Sequence, residues 1–238
     1  MNTIRAVLYY LSVTVVTITH ALLSLTIGPF LPFKQRHWFI TLWCRMNIAL
    51  LKFFCGVNYR VSGLENMPKG NGVVLCNHQS SWETFYLHLL FKPQTTVLKE
   101  SLIRIPLFGH SLKLLEPIII DREQKIKALK QIVSQGKEKL DQGSWIVIYP
   151  EGTRIDPGQP SEYSSGGALL ATKTAYPITP VVHNAGEFCP AKRLKKTAGT
   201  IDVVIGPQIL TEGRKAKEVT IEVEQWIREN YARISTQK

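Results

Sequence analysis

Hydrophobic and polar positions divide the chain into an apolar beginning and an alternating remainder. From Ala6 to Phe33 there is no Lys, Arg, Asp or Glu. As one helix that run would extend about 42 Å, more than the roughly 30 Å of hydrocarbon in a bilayer. Gly28-Pro29 and Pro32 are expected to end it sooner. No small-residue cleavage site follows, which argues against a removed signal peptide. A second apolar segment, Trp38 to Phe54, carries Arg45 and Lys52 on one helical face, the pattern of a helix lying in an interface. A helical hairpin packed on a soluble core is the alternative.

Beyond Val57 the pattern alternates. Short apolar runs predict strands at Val57–Val61, Val73–Cys76, Thr95–Leu98, Pro117–Ile120, Trp145–Tyr149, Ile178–His183 and Ile201–Ile205. Helices are expected at Ser80–Phe91, at Glu123–Leu140 with Ile126, Leu129, Val133 and Leu140 on its buried face, and at Arg214–Ile234 burying Val219, Val223, Trp226 and Ile227. Strands alternating with helices predict an α/β fold with a mostly parallel central sheet flanked by helices. We divide the chain into an N-terminal membrane-binding helical segment, 1–56, and an α/β domain, 57–238.

Composition adds two constraints. A net charge of +11 calls for an anionic partner, whether nucleic acid, phosphorylated substrate or acidic membrane. Cys44, Cys55, Cys76 and Cys189 lie in apolar settings without paired spacing, as reduced buried thiols do. Lys34, Arg36, Arg45 and Lys52 follow the first apolar run, so the positive-inside rule places the remainder on the cytoplasmic face of the membrane.

The chemistry centres on Asn77-His78-Gln79-Ser80-Ser81-Trp82-Glu83, at a strand-to-helix turn. An imidazole there can take an alcohol's proton, and a carboxylate five positions on can hold its tautomer. Ser80-x-x-Glu83 is also a capping-box pattern, so Glu83 can serve the helix start instead, or do both. Glu151-Gly152-Thr153-Arg154 reads as a tight turn with a forked donor suited to phosphate, or as an ordinary polar turn. Within it Glu151 suits holding the loop or orienting Arg154. Arg122 and, more weakly, Lys99 are further cations at strand ends. The basic run Lys192, Arg193, Lys195 and Lys196 reads as a solvated loop or a contact for lipid headgroups or an acidic carrier. His183, His88 and His110 read as structural. There is no nucleophile elbow, P-loop, dinucleotide fingerprint or metal-ligand spacing.

His78 with its acid, Ile119-Ile120-Asp121-Arg122, Pro150-Glu151-Gly152-Thr153-Arg154 and Pro177-Ile178-Thr179-Pro180 occur in one order over Val57 to Ile209. This ordered set resembles the glycerolipid acyltransferase family, most closely its bacterial 1-acylglycerol-3-phosphate members. The resemblance implies that His78, oriented by Glu83, deprotonates the hydroxyl of a lysophospholipid that attacks an acyl thioester. It implies a phosphate site of Arg122, Glu151, Gly152 and Arg154, joined by Thr153 and Lys99 from the residue pattern, and an acyl-donor region at Pro177, Ile178 and Pro180. No cofactor or metal is expected beyond the donor, acyl-CoA or acyl-acyl carrier protein. Expected partners are the two substrates, an anionic inner membrane and an acyl carrier protein, with no nucleic acid. Two departures stand out: Glu83 where the family has aspartate, and Glu116 and Ile119 where its second block has glycine and an aromatic residue. Another lysolipid acceptor, such as an ornithine lipid or lysophosphatidylcholine, is the rival within the family. A non-catalytic protein binding anionic membranes or nucleic acid is the rival outside it.

Overall fold

A computed structural model describes residues 3–121, 123–191 and 193–236. Two long helices come first, α1 (Thr3–Ile27) and α2 (Phe33–Cys55), separated by the turn Gly28–Phe30. They form the hairpin expected from Gly28, Pro29 and Pro32. Both are long and apolar enough to cross a membrane. α1 leaves Ile4, Val7, Leu8, Leu11, Val15, Ile18 and Leu22 exposed, a stripe at helical spacing on its outer face. Arg45 and Lys52 are exposed on α2, while Ile40, Cys44, Ile48 and Leu51 turn inward. The hairpin therefore packs on the domain and still presents apolar surface outward. The packed hairpin is seen, and an apolar face remains on its outside.

Seven strands follow: β1 (Val57–Ser62), β2 (Val73–Cys76), β3 (Gln94–Lys99), β4 (Ile118–Ile120), β5 (Trp145–Ile148), β6 (Ile178–His183) and β7 (Gly199–Ile205). They make one sheet in the order β1-β7-β6-β2-β5-β3-β4. Every pairing is parallel except β6 with β7. Between the strands lie α3 (Trp82–Leu90), the short α4 (Glu100–Ile103) and α5 (Phe108–Lys113), α6 (Lys125–Asp141), α7 (Gly166–Thr174), the short α8 (Ala185–Phe188) and α9 (Ala216–Ile234).

The period of two along each strand sends alternate side chains to opposite faces and so builds two cores. Val74, Cys76, Val147 and Val181 face the hairpin and α3, where Trp82 stacks on Tyr86. Val73, Leu75, Ile146, Ile148 and Val182 face α6, α7 and α9. Along α6 the buried line is Ala128, Ile132, Gly136 and Leu140, with Ile126 exposed. The expected face was rotated because small Ala128 and Gly136 mark the closest approach: a Cβ on Gly136 would come within 2.7 Å of Leu170. Trp226 is half-buried, lying over Gly206. α7 was not anticipated, and it starts at Gly166-Gly167. Those glycines let it dock closely, a Cβ on Gly167 falling 2.4 Å from Leu75.

Candidate active site

The carboxyl ends of the parallel strands β2, β3 and β5 lie at one edge of the sheet, where open α/β sheets place ligands. β2 ends in the turn that carries His78. β5 ends in Tyr149 and the Glu151–Arg154 turn. β6 ends at His183, and β3 at Lys99.

His78 is held from several sides. Its Nδ1 lies 2.8 Å from Glu83 Oε1. Its backbone N–H donates to Glu151 Oε2 at 2.7 Å, and its carbonyl accepts the Ile155 N–H at 2.8 Å. Its ring stacks on Tyr149 with centroids 4.0 Å apart and planes at 17°. An ionised carboxylate can only accept, so Nδ1 carries the proton and Nε2 is left as the acceptor.

Glu83 serves the turn and the ring together. Oε1 also accepts the backbone N–H groups of Gln79 at 3.0 Å and Ser80 at 2.8 Å. Ser80 Oγ in turn accepts the Trp82 N–H at 3.1 Å, so the helix start is satisfied reciprocally. One oxygen thus orients His78 and closes the turn. The other, Oε2, is buried without a hydrogen bond and sits 3.8 Å from His183 Nε2. Burial pushes the Glu83 carboxyl up, but His183, the His78 hydrogen bond and the Ser80 N–H outweigh it and hold the carboxyl below its usual value.

His183, read as structural, has a definite place beside the pair. Its Nε2–H donates to the Asn77 carbonyl at 3.0 Å, and its Nδ1 accepts the Ala185 N–H at 3.1 Å. Burial lowers its basicity, while the Glu83 charge and the Asn77 hydrogen bond raise it. Asn77 bonds the His183 backbone in both directions, at 2.9 and 3.0 Å, tying β2 to β6 below the site. No local pattern signals this pair, whose members are 106 residues apart.

A cavity of about 530 Å³ opens at His78 and runs between the hairpin and the domain. Ala21 and Ile40 from the hairpin, Phe85 from α3, and Leu102, Phe108 and Leu115 make it largely apolar. His78, Tyr149, Arg154 and Lys99 supply polar lining. The Tyr149 hydroxyl and Arg154 Nε are both buried without a partner. These unmade bonds suit a polar substrate group.

The expected site residues separate. Arg154 and Lys99 border the cavity with His78. Gly152 sits in the left-handed region at φ 68°, where a side chain would be strained, and Thr153 is exposed. Glu151 departs from the phosphate site: its carboxylate braces the His78 backbone, and burial raises it to about 7. Arg122 lies outside the described residues. Pro177, Ile178 and Pro180, the expected acyl-donor region, lie away from the cavity. Pro177 precedes β6 and Ile178 begins it, at the end of the sheet opposite His78, with the Pro177 carbonyl accepting the Val73 N–H at 3.0 Å. Ile178 and Pro180 are buried core, and none of the three borders the cavity.

Glu116 explains its own departure. It adopts φ 51°, a conformation natural to glycine that costs another residue about 1 kcal/mol. Its carboxylate pairs with Arg36 of α2 and Lys139 of α6, which offsets that cost and clips the hairpin to the domain.

Residues 58–184 match the family model described as acyltransferase. The chain belongs to the acyltransferase family. Among curated proteins, it is 44% identical over 239 residues to a 1-acyl-sn-glycerol-3-phosphate acyltransferase of Pseudomonas aeruginosa, covering 99% of this chain and 93% of that one. It is 27% identical over 175 residues to the human 1-acyl-sn-glycerol-3-phosphate acyltransferase beta, covering 72% and 63%. The fold is that of the Thermotoga maritima PlsC crystal structure, with a TM-score of 0.80 at 21% identity over 100% of this chain and 97% of that one. In this family member the acid beside the base is Glu83, and it reaches the imidazole despite its extra methylene.

Proposed function

We propose that this acyltransferase converts 1-acylglycerol-3-phosphate to phosphatidic acid by moving an acyl group from a thioester to the free sn-2 hydroxyl. The observation that carries the reading is the His78–Glu83 pair, 2.8 Å apart, opening on an apolar cavity that Arg154 and Lys99 also line. The names of the relatives support the acceptor.

His78 Nε2 takes the proton of the sn-2 hydroxyl as its oxygen attacks the thioester carbonyl carbon. The tetrahedral oxyanion then collapses, the C–S bond breaks, and the thiolate leaves with the proton from the imidazolium. Glu83 stabilises the imidazolium between the two transfers. Arg154 and Lys99 bind the phosphate, Gly152 and Thr153 shape that turn, and the cavity receives an aliphatic chain. The reaction needs no cofactor or metal beyond the thioester itself.

The hairpin associates with the membrane. Its outer stripe enters the inner membrane, and the basic residues that follow α1 hold the domain on the cytoplasmic face against anionic lipid. Coenzyme A and an acyl carrier protein are both suitable carriers, and nucleic acid is not a partner.

The test is His78→Ala in purified protein with lysophosphatidic acid and both kinds of donor, the lipid product identified by mass. Transfer should fall by at least about 10³-fold while folding and vesicle binding persist. Near-normal turnover would refute the mechanism. Faster acylation of a phosphate-free lysolipid would refute the acceptor.

A further inference from the structure

A second cavity, of about 310 Å³, lies beside the first at the start of α3. Trp43, Ser81 and Phe85 border both. Tyr9 and Leu51 of the hairpin give the second cavity apolar wall, and Arg193 and Lys196 give it a basic side. Lys196 ties the loop by donating to the carbonyls of Pro190 and Arg193, each at 3.1 Å, while Arg193 is exposed.

Asn47 carries the decisive detail. It lines this cavity and is 2% exposed. Its Nδ2 donates to the Trp43 carbonyl at 2.8 Å, which fixes the orientation of the amide, since only the nitrogen can donate. Its Oδ1 is buried with no hydrogen-bond partner. A buried acceptor left unmade is costly, so it suits a ligand that brings an N–H donor. A glycerophosphate ester offers acceptors and one hydroxyl. The pantetheine arm of an acyl thioester offers two amide N–H groups and ends in a phosphate.

We propose that the second cavity binds the pantetheine arm of the acyl donor, with Asn47 Oδ1 accepting an amide N–H and Arg193 meeting the terminal phosphate. Ser81, three residues beyond His78, then marks where the arm passes toward the base and the acyl chain enters the larger cavity. This rests on the acyltransferase reading and assigns its donor a place. The arm is common to coenzyme A and an acyl carrier protein, so the site serves either carrier.

The test uses the full chain in detergent. Asn47→Leu should weaken coenzyme A binding, measured by calorimetry, about tenfold and raise the KM for acyl-CoA and acyl-carrier protein alike, with the lysophosphatidic acid KM unchanged. Arg193→Ala should raise the donor KM about threefold and flatten its salt dependence. With the unmodified chain, an acyl-pantetheine should exceed an acyl-ethanethiol, which lacks both amides, by about tenfold in kcat/KM. Equal use of these two donors, or a rise in the acceptor KM alone in Asn47→Leu, would overturn the proposal. Coenzyme A binding that Asn47→Leu abolishes, in a chain that transfers nothing, would refute the reaction and leave this site standing.

Discussion

Two glutamates grip His78 from opposite sides, and their environments drive them apart. Glu83 meets the ring and two backbone N–H groups, so its charge is answered and its carboxyl is held down. Glu151 meets one N–H, that of His78 itself, and burial raises it to about 7. Burial penalises both charges; His183 and the hydrogen bonds from His78 and Ser80 overcome it at Glu83, whereas at Glu151 burial, with the charge of Glu83 beside it, prevails over the His78 N–H and the Ser161 hydroxyl. The ring side is built for a lasting negative charge. The backbone side is a brace.

The largest expected effect breaks the ring side. Glu83→Gln keeps an acceptor for the turn but removes the charge, so kcat should fall at least about 100-fold with the fold retained. A variant that loses only thermal stability would make Glu83 a helix cap and nothing more. Next, Glu83→Asp should keep kcat within about tenfold, because the family's acid is aspartate and a small shift of α3 restores reach. A loss equal to that of Glu83→Gln would show that the longer side chain is needed to serve ring and turn at once.

Stability against pH separates the two glutamates. The folded carboxyl of Glu151 is raised from 4.5 to about 7, so its ionisation penalty is absent below pH 4.5 and grows to at most about 3 kcal/mol as pH rises to 7. Glu151→Gln should remove that component, so that denaturant titrations show stability at pH 7 gaining on stability at pH 4.5 relative to the unmodified chain, while activity stays within about tenfold. Glu83 behaves oppositely: its folded carboxyl is lowered, so its contribution is present above pH 4.5 and is lost as pH falls below that value. Burial lowers the basicity of His37, His88 and His183, which adds a slope of opposite sign to both chains, so a slope between pH 4.5 and 7 that Glu151→Gln leaves unchanged would undo the comparison. The smallest effect is at Tyr149. Tyr149→Phe keeps the stack on His78 and removes an unpartnered hydroxyl, so stability should rise by about 1 kcal/mol in thermal unfolding. A fall would mean that the hydroxyl has a protein partner.

Much of the fold was legible because strands and helices here follow periods of 2 and 3.6. Val73–Cys76 is a strand as its unbroken apolar run predicts, and it ends at the base. The misses share one cause. Ile126 is more hydrophobic than Ala128 or Gly136, yet the small residues face inward because α6 and α7 approach closely there. Ile178 opens β6 at the end of the sheet away from His78, a placement that its local pattern does not carry.

The sequence alone determined the elements, their alternation, the apolar hairpin, and the pairing of a base with an acid five positions on. Those properties are local: propensity, periodicity and a single turn set them. Tertiary structure decided what each group meets. It set Glu83 against His183, the His78 ring and two backbone N–H groups, brought that histidine from 100 positions away in the chain, and left Asn47 Oδ1 unanswered in a residue that lines a cavity. Charge, burial and hydrogen-bond satisfaction depend on neighbours distant in sequence, so no local pattern in this chain could carry them.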